Sequence, residues 1–441
     1  MSFAGWGNFP RRQGELETLR DPAAVRRAVL GGGPVLAHGA GRSYGDAALG
    51  AGRTLGLRGL DRFLAYDEAS RDLTVEAGVM LSDVIDAVLP RGLFPPVVPG
   101  TRYVTIGGMV ASNVHGKNHH VAGAFGAHVS ALTLVTAQGD VVRCSRGENA
   151  QLFRATIGGM GLTGIVTDVT FRLIPVETAF IRQETLSAPD LAAAMRLLEE
   201  SRNRTYSVAW IDGLGKGGLG RALVFRGEHA LRADLDDDQA RAPLRTGTPP
   251  RLAVPFHLPA FTLNRLSASA FNELYYRMNA RREGMRVVGY LPYFFPLDGV
   301  AHWNRIYGSR GFIQHQCVIP RAGSSAALGE MLALIAREGN PSFLTVLKLL
   351  GPGDAGMIGF PMEGFTLAID FPVSDDTLRL AAALDRIVVA SGGRLYLAKD
   401  ARQDRGIFDA GYGEADAFRA FRAEAGASAR FRSLQSERLG L

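Results

Sequence analysis

Residues 99–120, PGTRYVTIGGMVASNVHGKNHH, constrain this chain more than any other stretch. A Pro-Gly turn runs through Val104-Thr105-Ile106 into Gly107-Gly108. Small residues from Met109 to Asn113 then lead to His115, Gly116, Lys117, Asn118, His119 and His120. Paired glycines let a backbone approach a ligand where a side chain would block it. Buried polar groups need hydrogen-bond partners, so three histidines and a lysine in six residues require a large polar ligand or open solvent. Taken alone, the stretch fits a ligand cradle and a solvated glycine-rich loop equally well.

The totals narrow the choice. A chain of 441 residues is too long for one ordinary core, so two domains are expected. Hydrophobic residues at 46% and charged residues at 21% are those of a globular protein. The net charge of +6 is modest and no stripe of Lys and Arg stands out, which argues against a nucleic-acid partner. Cys144 and Cys317 give neither a disulfide framework nor a metal-ligand spacing, so no metal is expected. The N-terminus has no apolar signal core and no run of 18 apolar residues exists. The expectation is a cytoplasmic enzyme, with peripheral contact at the inner membrane left open.

In chain order, Pro22–Leu30 is expected to be a helix capped by Asp21. Pro34–Ala37 reads as a buried strand running into His38-Gly39-Ala40-Gly41-Arg42-Ser43-Tyr44-Gly45-Asp46. Glycines and a serine at a strand end can turn successive N–H groups to one side and bind phosphate; Arg42 offers a bidentate contact. Strands are expected at 55–57 and 73–77, and a helix at 81–89 capped near Ser82. A hairpin is expected around Gln138-Gly139, and a short helix over 149–155. Gly159–Gly164 matches G-x-G-x-x-G, but a helix precedes it and a strand follows, so the dinucleotide reading is rejected.

Beyond Pro175 longer helices and strands alternate. Residues 241–290 carry eight arginines, two glutamates and no aspartate, with Pro249-Pro250 and scattered apolar residues. This stretch reads as a flexible basic-apolar insertion suited to an anionic lipid-like ligand or a membrane surface. Residues 311–319, 343–350 and 365–371 read as strands with polar residues toward one face, backed by helices at 322–338 and 375–391. Within 392–400 a strand is expected to deliver Lys399 out of an apolar run.

These pieces together resemble the vanillyl-alcohol-oxidase superfamily of FAD enzymes and, within it, the decaprenylphosphoryl-β-D-ribose 2′-oxidase family. The resemblance spans nearly the whole chain. It rests on HGAGRSYGD (38–46), PGTRYVTIGG (99–108), HGKNHH (115–120), GLTGI (161–165), HWNRIYG (302–308), FIQHQCVIP (312–320), FLTVLKLLGP (343–352) and GRLYLAKD (393–400). It implies an α+β, two-domain fold. An FAD domain would cover 1–178, a substrate domain with an antiparallel sheet 179–393, and a C-terminal return 394–441. The pyrophosphate loop would comprise His38, Gly39, Ala40, Gly41, Arg42, Ser43, Tyr44, Gly45 and Asp46, with Ala37 and Ala47 beside it as further cofactor-binding residues. Further FAD contacts would come from Gly100, Thr105, Ile106, Gly107, Gly108, Ser112, Asn113, Val114, His115, Val166 and Tyr396. Arg42 stands where many members tether FAD through a histidine, so the resemblance implies non-covalent FAD.

By the same matching, Lys399 would sit beside the flavin pyrimidine edge, with Tyr44 and His115 as further catalytic candidates. Lys399 and His115 both remain open as the base. Lys117, Gln316, Lys348, Thr366, Ala368 and Lys399 would face the substrate. Ala368 stands where some members carry a cysteine, which changes the pocket without touching hydride transfer. The implied reaction oxidises the C2 hydroxyl of a polyprenylphosphoryl-β-D-ribose, and a separate NADH-dependent reductase would complete epimerisation. An alditol or sugar-lactone oxidase, or a flavin scaffold without turnover, are the competing readings.

Overall fold

The computed structural model describes residues 2–214, 220–248, 252–338, 342–353 and 356–441. Pro249-Pro250, singled out above, lie outside the described residues.

Two antiparallel sheets carry the architecture, a mixed α+β arrangement. The first has five strands in the order Val141–Ser145, Val129–Val135, Ile165–Arg172, Asp72–Glu76, Phe63–Asp67. Its hairpin turns at Gly139, whose φ of +82 favours glycine. Beside it lies a parallel three-stranded sheet of Leu16–Thr18, Arg53–Gly56 and Val35–His38. Asp21 caps the helix Pro22–Leu30 by accepting from the Ala24 N–H at 2.7 Å. Ser82 does not cap the helix Leu81–Val88. That helix starts after Met80, and the Ser82 hydroxyl, already inside the first turn, binds Asp83.

The second sheet has eight strands in the order Gly284–Gly289, Phe180–Ala188, Ala222–His229, Tyr206–Ile211, Thr345–Leu350, Gly364–Pro372, Phe312–Pro320, Arg394–Leu395. Side chains alternate across a strand. Ile313, Cys317, Leu347, Leu367 and Ile369 therefore point one way, into a core closed by the helices Leu191–Glu200, Ser324–Glu338 and Asp375–Ala390. Burying a side chain such as Leu367 or Ile369 contributes about 1.5–3 kcal/mol. The opposite face is thereby left with Gln314, Gln316, Lys348, Thr366, Ala368 and Asp370.

Residues 241–290 are more regular than expected. They contain the helix Arg265–Ala280, capped by Asn264, and the strand Gly284–Gly289, which pairs with Phe180–Thr185 at the sheet edge. The last fifty residues pack back onto the first sheets. Phe431 bridges Val35, the buried Arg422 guanidinium donates to the Leu162 and Phe431 carbonyls, and Arg438 reaches Asp46.

Candidate active site

The loop after Val35–His38 and the segment 98–117 meet over a cavity of about 920 Å³, whose far wall is the polar face of the eight-stranded sheet. That volume lies near the top of the range, roughly 300–1,000 Å³, found for cofactor and ligand sites. The backbone N–H groups of Gly39, Ala40, Gly41, Arg42 and Ser43 find no partner among the described residues. Five successive unpaired donors at the edge of a cavity form a nest suited to an anion. Gly39 leaves no room for a side chain: a Cβ there would sit 2.3 Å from Thr105 Oγ1. The donor set and the cavity fit a flavin dinucleotide, with the nest taking its pyrophosphate.

Most residues that the sequence assigned to the cofactor line this cavity: Ala37, Gly39–Tyr44, Ala47, Gly100, Thr105, Gly107, Gly108, Ser112, Val114, His115, Val166 and Tyr396. Five do not. His38 turns its ring to the Ala48 carbonyl at 3.0 Å. Gly45 packs against the Asp400 carbonyl, and the Asp46 carboxylate is held by Arg438. Ile106 and Asn113 bracket the turn around the helix Ile106–Ala111, where 100° per residue sends Gly107 and Gly108 to the cavity but Ile106 to the core. Asn113 takes a left-handed φ of +40 and accepts the Gly126 N–H at 2.9 Å. Arg42 is less free than a phosphate clamp: its guanidinium lies 4.1 Å over the Trp6 ring and Nε donates to Tyr103 O.

All six substrate-side candidates line the cavity. The sheet register places Lys348 opposite Thr366, and Ala368 between Val346 and Gln316. Gln316 Nε2 donates to Thr366 Oγ1 at 3.3 Å and to His115 Nε2 at 3.1 Å. With its Nε2 lone pair taken, neutral His115 carries its proton on Nδ1, and that buried N–H has no partner. Burial, then the Lys348 and Lys399 cations, hold His115 well below the usual imidazole range. His115 is therefore a neutral ring in the hydrogen-bond network of the cavity wall.

Lysine chemistry dominates instead. Of 49 Lys and Arg residues only four are lysine, and Lys117, Lys348 and Lys399 all line this one cavity. Burial lowers the pKa values of Lys117, Lys348 and Lys399 to about 7, about 8 and about 7 respectively, with repulsion from Lys348 contributing at Lys117 and Lys399 and Asp370 opposing the fall at Lys399. Guanidinium stays protonated under such conditions, whereas an amine titrates. Lys117 donates to the Tyr293 carbonyl and lies 4.5 Å over that ring. Lys399 is not on a strand: it sits in a turn after Arg394–Leu395, closed by its N–H to the Tyr396 carbonyl, with Nζ 3.6 Å from the Tyr44 ring centroid.

The sequence reading missed the apolar end of the cavity. Val208, Trp210, Phe225, Phe271, Tyr275 and Phe343 form a trough between the sheet and the helix Arg265–Ala280. Those residues come from four separate elements, so no local motif marks them. The scarcity of lysine was the signal available for the polar end.

Residues 22–145 match the FAD binding domain family. The decaprenylphosphoryl-beta-D-ribose oxidase of Mycolicibacterium smegmatis is 38% identical over 425 residues, covering 93% of this chain and 91% of that protein. An uncharacterized protein of Streptomyces coelicolor is 35% identical, covering 82% of this chain and 100% of its own length. The L-gulonolactone oxidase of Mus musculus is 33% identical over 148 residues, covering 32% of this chain and 33% of that enzyme.

Proposed function

Because the chain belongs to the decaprenylphosphoryl-β-D-ribose oxidase family of FAD-dependent oxidoreductases, we propose that it oxidises the C2 hydroxyl of a polyprenylphosphoryl-β-D-ribose to the 2-keto sugar. One observation carries the choice of substrate. Three half-buried lysines gather on a wall of hydrogen-bonding side chains, and the same cavity continues into an aromatic trough. A head bearing phosphate and hydroxyls, joined to an apolar chain, satisfies both ends. A free neutral sugar leaves the cations uncompensated and the trough empty.

Bound FAD supplies the hydride acceptor. The N–H groups of Gly39–Ser43 hold its pyrophosphate, and Lys348 with Lys117 offers charge to the substrate phosphate. Gln316 and Thr366 orient the sugar hydroxyls. Lys399, an amine for part of the time at neutral pH, takes the C2 hydroxyl proton and becomes an ammonium as negative charge arrives beside it. The test is a substrate deuterated at C2. Flavin reduction should slow with the label, and the keto product should lack it; a product that keeps the deuterium refutes oxidation at C2.

The cofactor is held without a covalent bond. Neither cysteine lines the cavity, Cys317 facing the helical core, and Arg42 occupies the tethering position. Acid precipitation should release all the yellow colour into the supernatant. Colour remaining with the pellet contradicts this.

The carrier end points to a membrane surface. No helix among the described residues is long and apolar enough to cross a bilayer. The helix Arg265–Ala280 brings Phe271 and Tyr275 to the trough, while Leu266, Leu274 and Met278 lie exposed. Phe256 and Phe261 are exposed as well, in a stretch of sequence rich in arginine. Such a face binds anionic lipid in the plane of the interface. Replacing Leu266, Leu274 and Met278 by Ser should weaken sedimentation with anionic vesicles and raise KM for a prenylated substrate more than for a short-chain analogue. Equal effects on both substrates would make the face a structural element only. Return of the ketone to the epimeric alcohol needs a hydride donor, which we assign to a separate NADH-dependent reductase.

A further inference from the structure

We propose that Asp370 is the positioning residue that decides whether Lys399 is an amine or an ammonium. The proposal rests on the flavin reading of the cavity but not on the identity of the sugar. Asp370 stands opposite Gln314 in the sheet register, on the same face as Ala368 and Thr366. It is fully buried and does not line the cavity. Gln314 Nε2 donates to its Oδ1 at 2.6 Å, and the Tyr307 hydroxyl approaches its Oδ2 at 3.5 Å. Phe312 stacks on Tyr307 at 4.4 Å and meets the edge of Tyr44 at 5.1 Å, so three aromatic rings wall the carboxyl off. On the Tyr44 ring rests Lys399 Nζ.

A structural role alone does not account for an acid here. An asparagine would serve Gln314 and Tyr307 as well, without the cost of a buried ionisable group. What an amide lacks is charge. Among the described residues the one cation acting on Asp370 is Lys399, and the one anion acting on Lys399 is Asp370. The other titratable groups facing the pair are Tyr44 from the 38–46 loop, Tyr307 from the turn Trp303–Tyr307, Lys348 from the strand Thr345–Leu350, and His115. Burial raises the Asp370 carboxyl to about 7, the value to which it lowers Lys399. Two such groups titrate as a pair in two steps. The ionised carboxylate holds the ammonium; once protonated, the acid leaves an amine free to accept the substrate proton.

The scarcity of lysine makes this measurable. In holoenzyme labelled with ¹⁵N-lysine, four Nζ signals arise, and Lys399→Arg identifies one of them. The Lys399 signal should titrate in two steps in the unaltered protein. In Asp370→Asn it should titrate in one, displaced to lower pH by about 1–3 units, because an opposite charge at close range has been removed. The acidic limb of anaerobic flavin reduction should move with it to lower pH, because the amine is the active form, and Asp370→Glu should restore both. A single unmoved step in Asp370→Asn overturns the proposal. If that variant does not retain FAD, the unaltered protein decides: one step only at Lys399 overturns it.

Discussion

Lys399→Ala keeps its FAD and slows anaerobic flavin reduction by about 10²–10³, the usual cost of removing one preorganised group aimed at developing charge. The variant folds, because the lysine sits in a turn already closed by backbone bonds and its tip faces the cavity. Its loss removes both the acceptor of the hydroxyl proton and the ammonium which that transfer creates. Both act mainly in the transition state, so kcat falls more than KM rises. Lys399→Arg does not rescue the rate, because a guanidinium remains protonated and has no lone pair to offer. FAD content measured alongside separates catalysis from binding. Reduction at the unaltered rate in an FAD-replete variant would make Lys399 a bystander.

Arg438→Ala costs about 3–5 kcal/mol of stability, the penalty for leaving buried charge without its partner. Arg438 Nη2 lies 2.7 Å from Asp46 Oδ1 and 2.9 Å from Asp400 Oδ2, and those two carboxylates are only 5% and 1% exposed. Asp400 follows Lys399 directly and also accepts the N–H groups of Arg402 and Gln403. One arginine thus joins the nest loop, the catalytic turn and the C-terminal helix, and its loss loosens FAD along with the fold. The deficit depends on pH in a defined sense. Burial raises the Asp46 carboxyl above its usual value even with Arg438 present. A raised folded-state pKa contributes stability at low pH that is lost as pH rises through it. Without the arginine Asp46 rises further, so the variant's melting temperature should trail the unaltered protein by more at pH 8 than at pH 5. An equal gap at both would assign the effect to packing.

The sequence made legible what period and local chemistry dictate. Alternation along 311–319 and 365–371 marked strands with polar residues toward one face, and the glycine loop at 38–46 announced an anion nest. It was silent where contacts join distant elements. Nothing near Lys399 indicates Asp370, twenty-nine residues earlier and reached through Gln314 and Tyr44. A motif read as a block also overreaches. Ile106, Asn113 and Asp46 stand inside cofactor motifs but turn to the core, to Gly126 and to Arg438, because neighbours on a helix or loop cannot all face one ligand. The helix Arg265–Ala280 was obscured because its outward face is as apolar as its inward one, so no clear amphipathic period marks it.

The lysine wall and the aromatic trough are expected together to select a phosphate-linked, prenylated pentose. The direct measurement is the rate at which oxidised-flavin absorbance is lost under anaerobic conditions, with synthetic prenylphosphoryl-β-D-ribose compared against free ribose and alditols. Rapid bleaching is expected with the prenylphosphoryl sugar and slow bleaching with the others. Equal rates, or faster reduction by an alditol, would contradict it.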